Sequence, residues 1–198
     1  EGKTIVSLLP GSRKQEIRGL LPILLMAATV IHERVPSVTF IVSCSNTRNL
    51  ELIESITQHF TSTNSKRLSI KIVTEKISEM LKSSSLCICN SGTVTLEIAN
   101  YQIPMVTCYR VSPFSYFVSK PFIDTPYICL VNAIAKKEVV PEKTMYRDDY
   151  KWLASRSSEL LLNEEKREAC IAGLKEITSL IGSPGASAKA ADEALSMI

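Results

Sequence analysis

Short apolar runs alternate with longer amphipathic stretches along most of the chain. The runs are rich in β-branched residues and contain few polar ones, which is typical of strands buried on both faces of a parallel sheet. They predict five strands and a shorter sixth, at residues 4–9, 38–43, 68–73, 85–89, 104–109 and 127–131.

Apolar residues at steps of three and four predict helices in the intervening segments. The first such pattern covers residues 17–35, and because Pro22 interrupts it, the main helix is predicted to begin at that proline. Further helices are predicted at 49–60, 75–82, 94–101, 148–162, 164–181 and 186–197, with a break at 182–185.

This alternation of strands and helices predicts an α/β fold, a Rossmann-like open parallel sheet with right-handed crossovers and helices on both faces. We expect two parts, a Rossmann-like domain over residues 1–147 and a helical tail over residues 148–198. The tail is expected to pack on the domain, on an N-terminal domain outside this chain, or on a second subunit.

Ligands of such sheets bind beyond the carboxyl ends of the strands. The loops that follow the first, fourth and fifth predicted strands are therefore expected to meet at one edge. These loops are residues 10–14, 90–93 and 109–113.

Composition and charge narrow the class of protein. The 23 basic and 20 acidic residues leave a net charge of +3, which is too balanced for a nucleic-acid-binding surface. No segment has the ~20 apolar residues that span a bilayer, and no signal peptide is recognisable. Since the chain begins with Glu1 rather than methionine, we expect it to be a piece of something longer.

Cysteine usage indicates a reducing compartment. The six cysteines form no C-x-x-C pair and only two histidines are present, so no metal site is predicted. The cysteines are expected to be buried free thiols. Four of them lie in the apolar runs predicted as strands: Cys87, Cys89, Cys108 and Cys129.

The loop after the first strand reads Pro10-Gly11-Ser12-Arg13. Gly11 allows close backbone approach, Ser12 offers a hydroxyl, and Arg13 offers a planar guanidinium suited to phosphate. An ordinary turn with a surface arginine explains the same residues. The G-x-G-x-x-G and G-x-x-x-x-G-K-[ST] fingerprints are both absent, which argues against a dinucleotide dehydrogenase and a P-loop NTPase.

The loop Asn90-Ser91-Gly92-Thr93 lies between the fourth strand and a helix. A glycine turn at this point aims N–H groups and the positive helix end outward, which suits a phosphate. Glu97, one helical turn further on, is placed to accept hydrogen bonds from a ribose diol. The alternatives are that Ser91 or Thr93 simply caps the helix and that Glu97 favours its dipole.

Four stretches, in this order, resemble the successive motifs of the lipid-A-disaccharide synthase family. They are LLPGSRKQEI…LLP at 8–22, NSGTVTLE at 90–97, IPMVTCYRVSPFSY at 103–116 and YICLVNAIA…VVPE at 127–142. The resemblance implies the C-terminal, nucleotide-sugar-binding half of an inverting GT-B type glycosyltransferase. It also implies transfer of 2,3-diacylglucosamine from UDP to lipid X, which forms the lipid A disaccharide and releases UDP.

The resemblance also implies which residues bind UDP. Arg13 would act catalytically, by binding the diphosphate and balancing charge on the leaving UDP, and Glu97 would hold the ribose. Gly92 and Thr93 would present the helix terminus to the phosphates. The other implied site residues are Gly11, Ser12, Glu16, Ser91, Arg110, Phe114 beside the nucleotide, and Asn132 hydrogen-bonded to UDP. No cofactor or metal is required if Arg13 and the helix dipole balance the phosphate charge.

The implied partners are UDP-2,3-diacylglucosamine, lipid X and the cytoplasmic face of the inner membrane, where the protein would be a peripheral, cytoplasmic enzyme. A homodimer through residues 148–198 is a further expectation, and nucleic acid is not an expected partner.

Aromatic residues cluster between Tyr109 and Tyr127. They suit core packing, or an apolar surface in which Phe117 and Phe122 meet acyl chains or the membrane.

Three positions depart from the family pattern. Val131, Lys137 and Met145 stand where proline, arginine and glutamine are usual, which weakens the match over residues 133–145. Two other functions stay open on the sequence: a related UDP-sugar enzyme such as a UDP-N-acetylglucosamine 2-epimerase, and a non-catalytic nucleotide-binding module.

We predict that this chain by itself binds UDP weakly and forms no disaccharide. The reason is that the family's acceptor site and its proposed catalytic carboxylate belong to the N-terminal domain. The check is to incubate the chain with UDP-2,3-diacylglucosamine and lipid X, and measurable disaccharide synthesis would contradict the prediction.

Overall fold

The computed structural model describes residues 4–65, 67–74, 76–112, 126–181 and 185–196. Six strands form one parallel sheet in the order β3-β2-β1-β4-β5-β6. Their bounds are β1 Ile5–Leu9, β2 Thr39–Cys44, β3 Ile70–Thr74, β4 Leu86–Asn90, β5 Met105–Arg110 and β6 Glu142–Met145. The parallel sheet predicted from the apolar runs is confirmed.

The helices of the described residues alternate with these strands and then form the tail. They are α1 Lys14–Arg34, α2 Leu50–Thr63, α3 Ile77–Ser83, α4 Val94–Asn100, α5 Leu130–Ala135, α6 Tyr150–Leu162, α7 Glu164–Ile181 and α8 Ala186–Ser196. A short 3₁₀ turn, Thr47–Asn49, precedes α2. Over the described ranges, none of these helices combines the length and apolar character needed to cross a membrane.

Helices cover both faces of the sheet. From β1 the chain moves outward to β2 and β3, and from β4 it moves the opposite way to β5 and β6. Right-handed crossovers therefore place α1 and α2 on one face and α3, α4 and α5 on the other. In the tail, α6 packs against α1, and α7 packs against α4 and α5.

The core lies where the central strands meet these two helix layers. Successive side chains of these strands, which point to opposite faces, are fully buried in Ser7 and Leu8 of β1 and in Cys87 and Ile88 of β4, as expected for strands covered on both faces. The tail contributes Leu153 from α6 and Leu174 from α7 to the same core. The proposed division at residues 147 and 148 stays a prediction, as does dimerisation through the tail.

The expectation that the main helix begins at Pro22 is wrong, because α1 runs without a break from Lys14 to Arg34. Pro22 lacks the N–H for an intrahelical bond, which costs about 3 kcal/mol in a helix interior. The residues around it, among them Leu21, Ile23 and Leu24, are almost completely buried. Burial of several such side chains, at about 1.5–3 kcal/mol each, outweighs the cost of the proline.

The sixth strand was also placed wrongly by the sequence pattern. Residues 130–135 form α5, and β6 lies further on at Glu142–Met145, paired with β5 in the register Thr107 to Glu142. A short apolar run cannot be assigned to a strand or a buried helix by periodicity alone. The carboxylate of Glu142 stabilises the helix at this position, because it accepts hydrogen bonds from the N–H groups of Ile128 and Cys129 at the start of α5.

All six cysteines are free and buried, as predicted. Cys87, Cys89 and Cys108 lie in β4 and β5, whereas Cys129 precedes α5 and is not in a strand. Burial raises the pKa of Cys87 and of Cys108 to about 12, and it raises the pKa of Cys170 to about 11. These thiols therefore stay protonated and unreactive in the folded protein.

Replacing Cys108 by alanine should reduce the loss of stability at alkaline pH. The unfolded thiol releases its proton near pH 8.5, and the folded thiol only near its raised pKa of about 12, so the free energy of unfolding falls between these values. Between pH 8 and pH 10 this thiol accounts for a fall of about 1.5–2 kcal/mol.

Urea unfolding of wild type and Cys108→Ala at both pH values measures this fall. Val106→Ala is the matched control, since Val106 is equally buried in the same strand and carries no titratable proton. Equal falls in wild type and Cys108→Ala would contradict the prediction.

Candidate functional site

A cavity of about 630 Å³ opens at the carboxyl edge of the sheet, where strand order reverses between β1 and β4. This is the position at which open α/β sheets bind their ligands. The loops after β1 and β4 form most of its wall, and the ends of β2 and α3 complete it. Its lining residues are Leu9, Gly11, Ser12, Arg13, Glu16, Ser43, Ser45, Ile77, Asn90, Ser91, Gly92, Thr93, Val94 and Glu97.

The loop after β1 folds around the carboxylate of Glu16. The N–H groups of Ser12 and Arg13 both donate to Glu16 Oε2, at 3.1 Å and 3.2 Å, and Arg13 Nη1 donates to Glu16 Oε1 at 3.0 Å. Gly11 has φ +106°, and a Cβ there would lie 2.4 Å from Glu16 Oε2. Glycine is thus required both for the backbone conformation and for the close approach of the carboxylate.

The buried side-chain amide of Asn49 holds this loop in place. Asn49 Nδ2 donates to the carbonyl oxygen of Ser12 at 2.8 Å, across 37 residues of sequence. Asn49 is 5% exposed, so the bond is protected from water. The sequence analysis did not identify Asn49, and no local pattern marks it, because only the fold brings it to the loop.

The turn between β4 and α4 presents unpaired N–H groups. The Ser91 N–H continues the sheet by donating to the Cys108 carbonyl at 2.8 Å, whereas no described residue accepts a hydrogen bond from the N–H of Gly92, Thr93 or Val94. These three N–H groups border the cavity. Consecutive free N–H groups of this kind favour an anion, and the helix dipole adds to the effect.

Neither hydroxyl of this turn caps α4. Thr93 is the N-cap residue but makes no side-chain capping bond. Ser91 Oγ is buried and has no hydrogen-bond partner among the described residues. The alternative that these two residues serve only as helix caps is therefore not what the structure shows, and Ser91 Oγ is a polar atom that a ligand at this turn would satisfy.

Glu97 lies one turn into α4 on the wall of the same cavity. Its side chain is exposed, and no described residue forms an ion pair or hydrogen bond with it. Its carboxylate is therefore available as an acceptor for a polar ligand. Arg13, whose side chain is 84% exposed, is the cation among the described residues that line the cavity.

Arg110 borders a neighbouring cavity of about 370 Å³, which shares Arg13, Glu16 and Asn90 with the first. Its guanidinium donates to the carbonyl oxygen of Gly19 in α1. Its other terminal nitrogen, Nη2, pairs with Asp148 Oδ1 at 3.0 Å. Arg110 thus ties the end of β5 to α1 and to the segment before α6, at the edge of the cleft, and its binding to UDP stays a prediction.

Asn132 is fully buried and its amide is saturated within the chain. Asn132 Nδ2 donates to the Val140 carbonyl at 2.8 Å and to Glu142 Oε2 at 2.7 Å. Asn132 Oδ1 accepts from the N–H groups of Val139 and Val140 at 2.8 Å and 3.0 Å. In this structure Asn132 organises the loop between α5 and β6, and its hydrogen bond to UDP stays a prediction.

Six predicted site residues from the loops after β1 and β4, together with Glu16 in α1 and Glu97 in α4, line one cavity, and these loops are far apart in sequence. Arg110 is at its edge, Asn132 lies apart from it, and Phe114 lies outside the described residues, as do Phe117 and Phe122. The sequence analysis missed Ser43, Ser45 and Ile77, although the rule that strand ends meet at one edge points to the loop after β2.

Solved structures share this fold. The C-terminal domain of a glycosyl transferase group 1 family protein from Francisella tularensis superposes with a TM-score of 0.60 at 13% identity, covering 90% of this chain and 86% of that chain. A pneumococcal O-GlcNAc transferase solved in complex with UDP and GlcNAc superposes with a TM-score of 0.56 at 15% identity, covering 89% of this chain and 32% of that chain.

Sequence comparison is more specific. The lipid-A-disaccharide synthase of Gloeothece citriformis is 30% identical over 198 residues, covering 99% of this chain and 50% of that protein. The chain thus spans about half the length of the curated relatives it matches. A family model described as Lipid-A-disaccharide synthetase matches residues 1–195. The chain therefore belongs to the lipid-A-disaccharide synthetase family.

Proposed function

We propose that this chain is the nucleotide-binding part of a glycosyltransferase that moves 2,3-diacylglucosamine from UDP to lipid X, forming the lipid A disaccharide and UDP. Family membership supports this reaction over the epimerase that the sequence left open. Two structural relatives, a glycosyl transferase domain and an O-GlcNAc transferase solved in complex with UDP and GlcNAc, are compatible with it. The part assigned to this chain is to hold the donor nucleotide.

The observation that carries the proposal is the pair of loops at the switch point. The free N–H groups of residues 92–94 and the exposed guanidinium of Arg13 border one cavity, and a diphosphate needs such donors. Ser91 Oγ, which is buried without a partner, supplies a further donor at the same turn. A ligand with two adjacent phosphates engages both loops at once.

Glu97 extends the site toward a ribose. It lies on α4, so a nucleotide whose first phosphate meets the β4–α4 turn has its ribose beside this helix. A carboxylate accepts hydrogen bonds from both hydroxyls of a ribose. Because Glu97 has no partner among the described residues, it does not have to give up another contact in doing so.

We assign to Arg13 the stabilisation of the phosphate that leaves. When the glycosidic bond to UDP breaks, negative charge develops on the phosphate that leaves. Fixed donors at this position lower the barrier without reorganisation of solvent. Arg13 and the β4–α4 turn are such donors, and the binding of Arg13 to the leaving phosphate is the catalytic contribution that we assign to this chain.

The lipid substrates of this reaction also support a peripheral position on the cytoplasmic face of the inner membrane.

Exposed apolar residues at the end of α7 and on α8, namely Leu180, Ile181 and Leu195, are compatible with the proposed homodimer through the C-terminal helices.

Replacing Arg13 by alanine should weaken UDP binding roughly tenfold or more, since a hydrogen bond to a charged group contributes about 1.5–3 kcal/mol. Calorimetric titration of UDP measures the change. Arg18→Ala is the matched control, because Arg18 is exposed on the helix that follows Arg13 and does not line either cavity at this edge. Equal affinity of wild type and Arg13→Ala would exclude Arg13 from the site.

Replacing Glu97 by glutamine should weaken binding of UDP more than binding of 2′-deoxy-UDP. The carboxylate is expected to accept from both ribose hydroxyls, and the deoxy ligand keeps only the 3′-hydroxyl, so its affinity should change less. The ratio of the two dissociation constants, measured for wild type and Glu97→Gln, tests this contact. A ratio that the substitution leaves unaltered would mean that Glu97 does not hold the ribose.

A further inference from the structure

Glu16 already bonds to the donors that a diphosphate would need on the β1 side of the cavity. Its carboxylate accepts from two backbone N–H groups, those of Ser12 and Arg13, and from the Arg13 guanidinium, at 3.0–3.2 Å. A phosphate group at a helix N-terminus accepts hydrogen bonds from the same kinds of donor. Glu16 therefore has the position and the charge of a bound anion within the first turn of α1.

The β4–α4 side of the cavity differs. There the N–H groups of residues 92–94 and Ser91 Oγ have no partner among the described residues. One half of the cavity thus has open donors, and the other half has donors that an internal carboxylate neutralises. A ligand anion can bind directly to the donors of the first half, but it must displace Glu16 before it can bind to the donors of the second half.

A displaced carboxylate has space nearby, in the cavity beside the ion pair of Arg110 with Asp148. Glu16 lines the neighbouring 370 Å³ cavity as well, and Arg110 borders that cavity. Glu16 is partly exposed, at 26%, so rotation of its side chain does not require opening of the core.

We propose that Glu16 is an internal competitor for the second phosphate of the nucleotide and so sets how strongly the site distinguishes a diphosphate from a monophosphate. This inference rests on the proposed function. The ribose position beside Glu97 directs the first phosphate to the β4–α4 turn, so only the second phosphate reaches Arg13 and Glu16. The carboxylate lowers the gain from that second phosphate and favours departure of the product UDP.

The test compares UDP and UMP binding to wild type, Glu16→Gln and Glu165→Gln by calorimetry. Glutamine keeps a capping oxygen but removes the charge, so Glu16→Gln should bind UDP roughly fivefold more tightly, the upper range for an exposed ion pair, and bind UMP almost unchanged. Glu165→Gln is the matched control, since Glu165 lies in the first turn of α7, is exposed, and does not line the cavity.

A gain for UDP without a gain for UMP supports the proposal. Weaker UDP binding by Glu16→Gln overturns it, because Glu16 would then help to hold the nucleotide, and so does an equal change for both ligands. Failure of wild type to bind any UDP counts against the proposed function instead.

A second measurement tests the competition by Glu16 without using a nucleotide. In Glu16→Ala the donors of Ser12 and Arg13 lose their internal anion, so inorganic pyrophosphate should raise the melting temperature of this variant in a saturable way. Wild type should respond much less. Equal responses of wild type and Glu16→Ala overturn the proposal whatever the outcome with UDP.

Discussion

The pairing of β1 with β4 is the contact on which the candidate site depends. Residues 5–9 and 86–90 are adjacent in the sheet although about eighty residues separate them, and the register sets Leu9 beside Cys89. The two strands are parallel, so the loops that follow them leave the sheet at the same edge. Without this pairing, Arg13 and the β4–α4 turn would not border one cavity, and neither loop alone offers a site for a diphosphate.

The two loops have opposite electrostatic arrangements. In the β1 loop the backbone N–H groups of Ser12 and Arg13 and the Arg13 guanidinium are all bonded to Glu16. Asn49 also holds this loop in place by donating to the Ser12 carbonyl oxygen. The β4 loop leaves its N–H groups open. In the function and the role of Glu16 that we propose, a nucleotide binds the open half through one phosphate and gains the partly neutralised half only when Glu16 moves.

The elements that the sequence analysis placed wrongly have a common physical cause. Local rules assign Pro22 to a helix start and the apolar run at 127–131 to a strand. In the folded chain, burial of the leucine-rich face around Pro22 keeps α1 continuous, and the carboxylate of Glu142 stabilises the start of α5. Both outcomes depend on groups that are distant in sequence or on packing, which local periodicity does not report.

The sequence by itself determined the class of fold, the loop positions of Gly11, Arg13 and Gly92, the place of Glu97 one turn into the next helix, and the motifs of the family, because periodicity and turn chemistry are local properties of the chain. Only the tertiary structure decided which donors are free. It left the N–H groups of residues 92–94 open, bonded Asn49 to the Ser12 carbonyl across 37 residues, and paired the Asn132 amide with Val140 and Glu142. The bonds of Ser12 and Arg13 to Glu16, by contrast, are local contacts of a helix start. Hydrogen-bond partners follow from three-dimensional distance, which the order of residues alone does not supply.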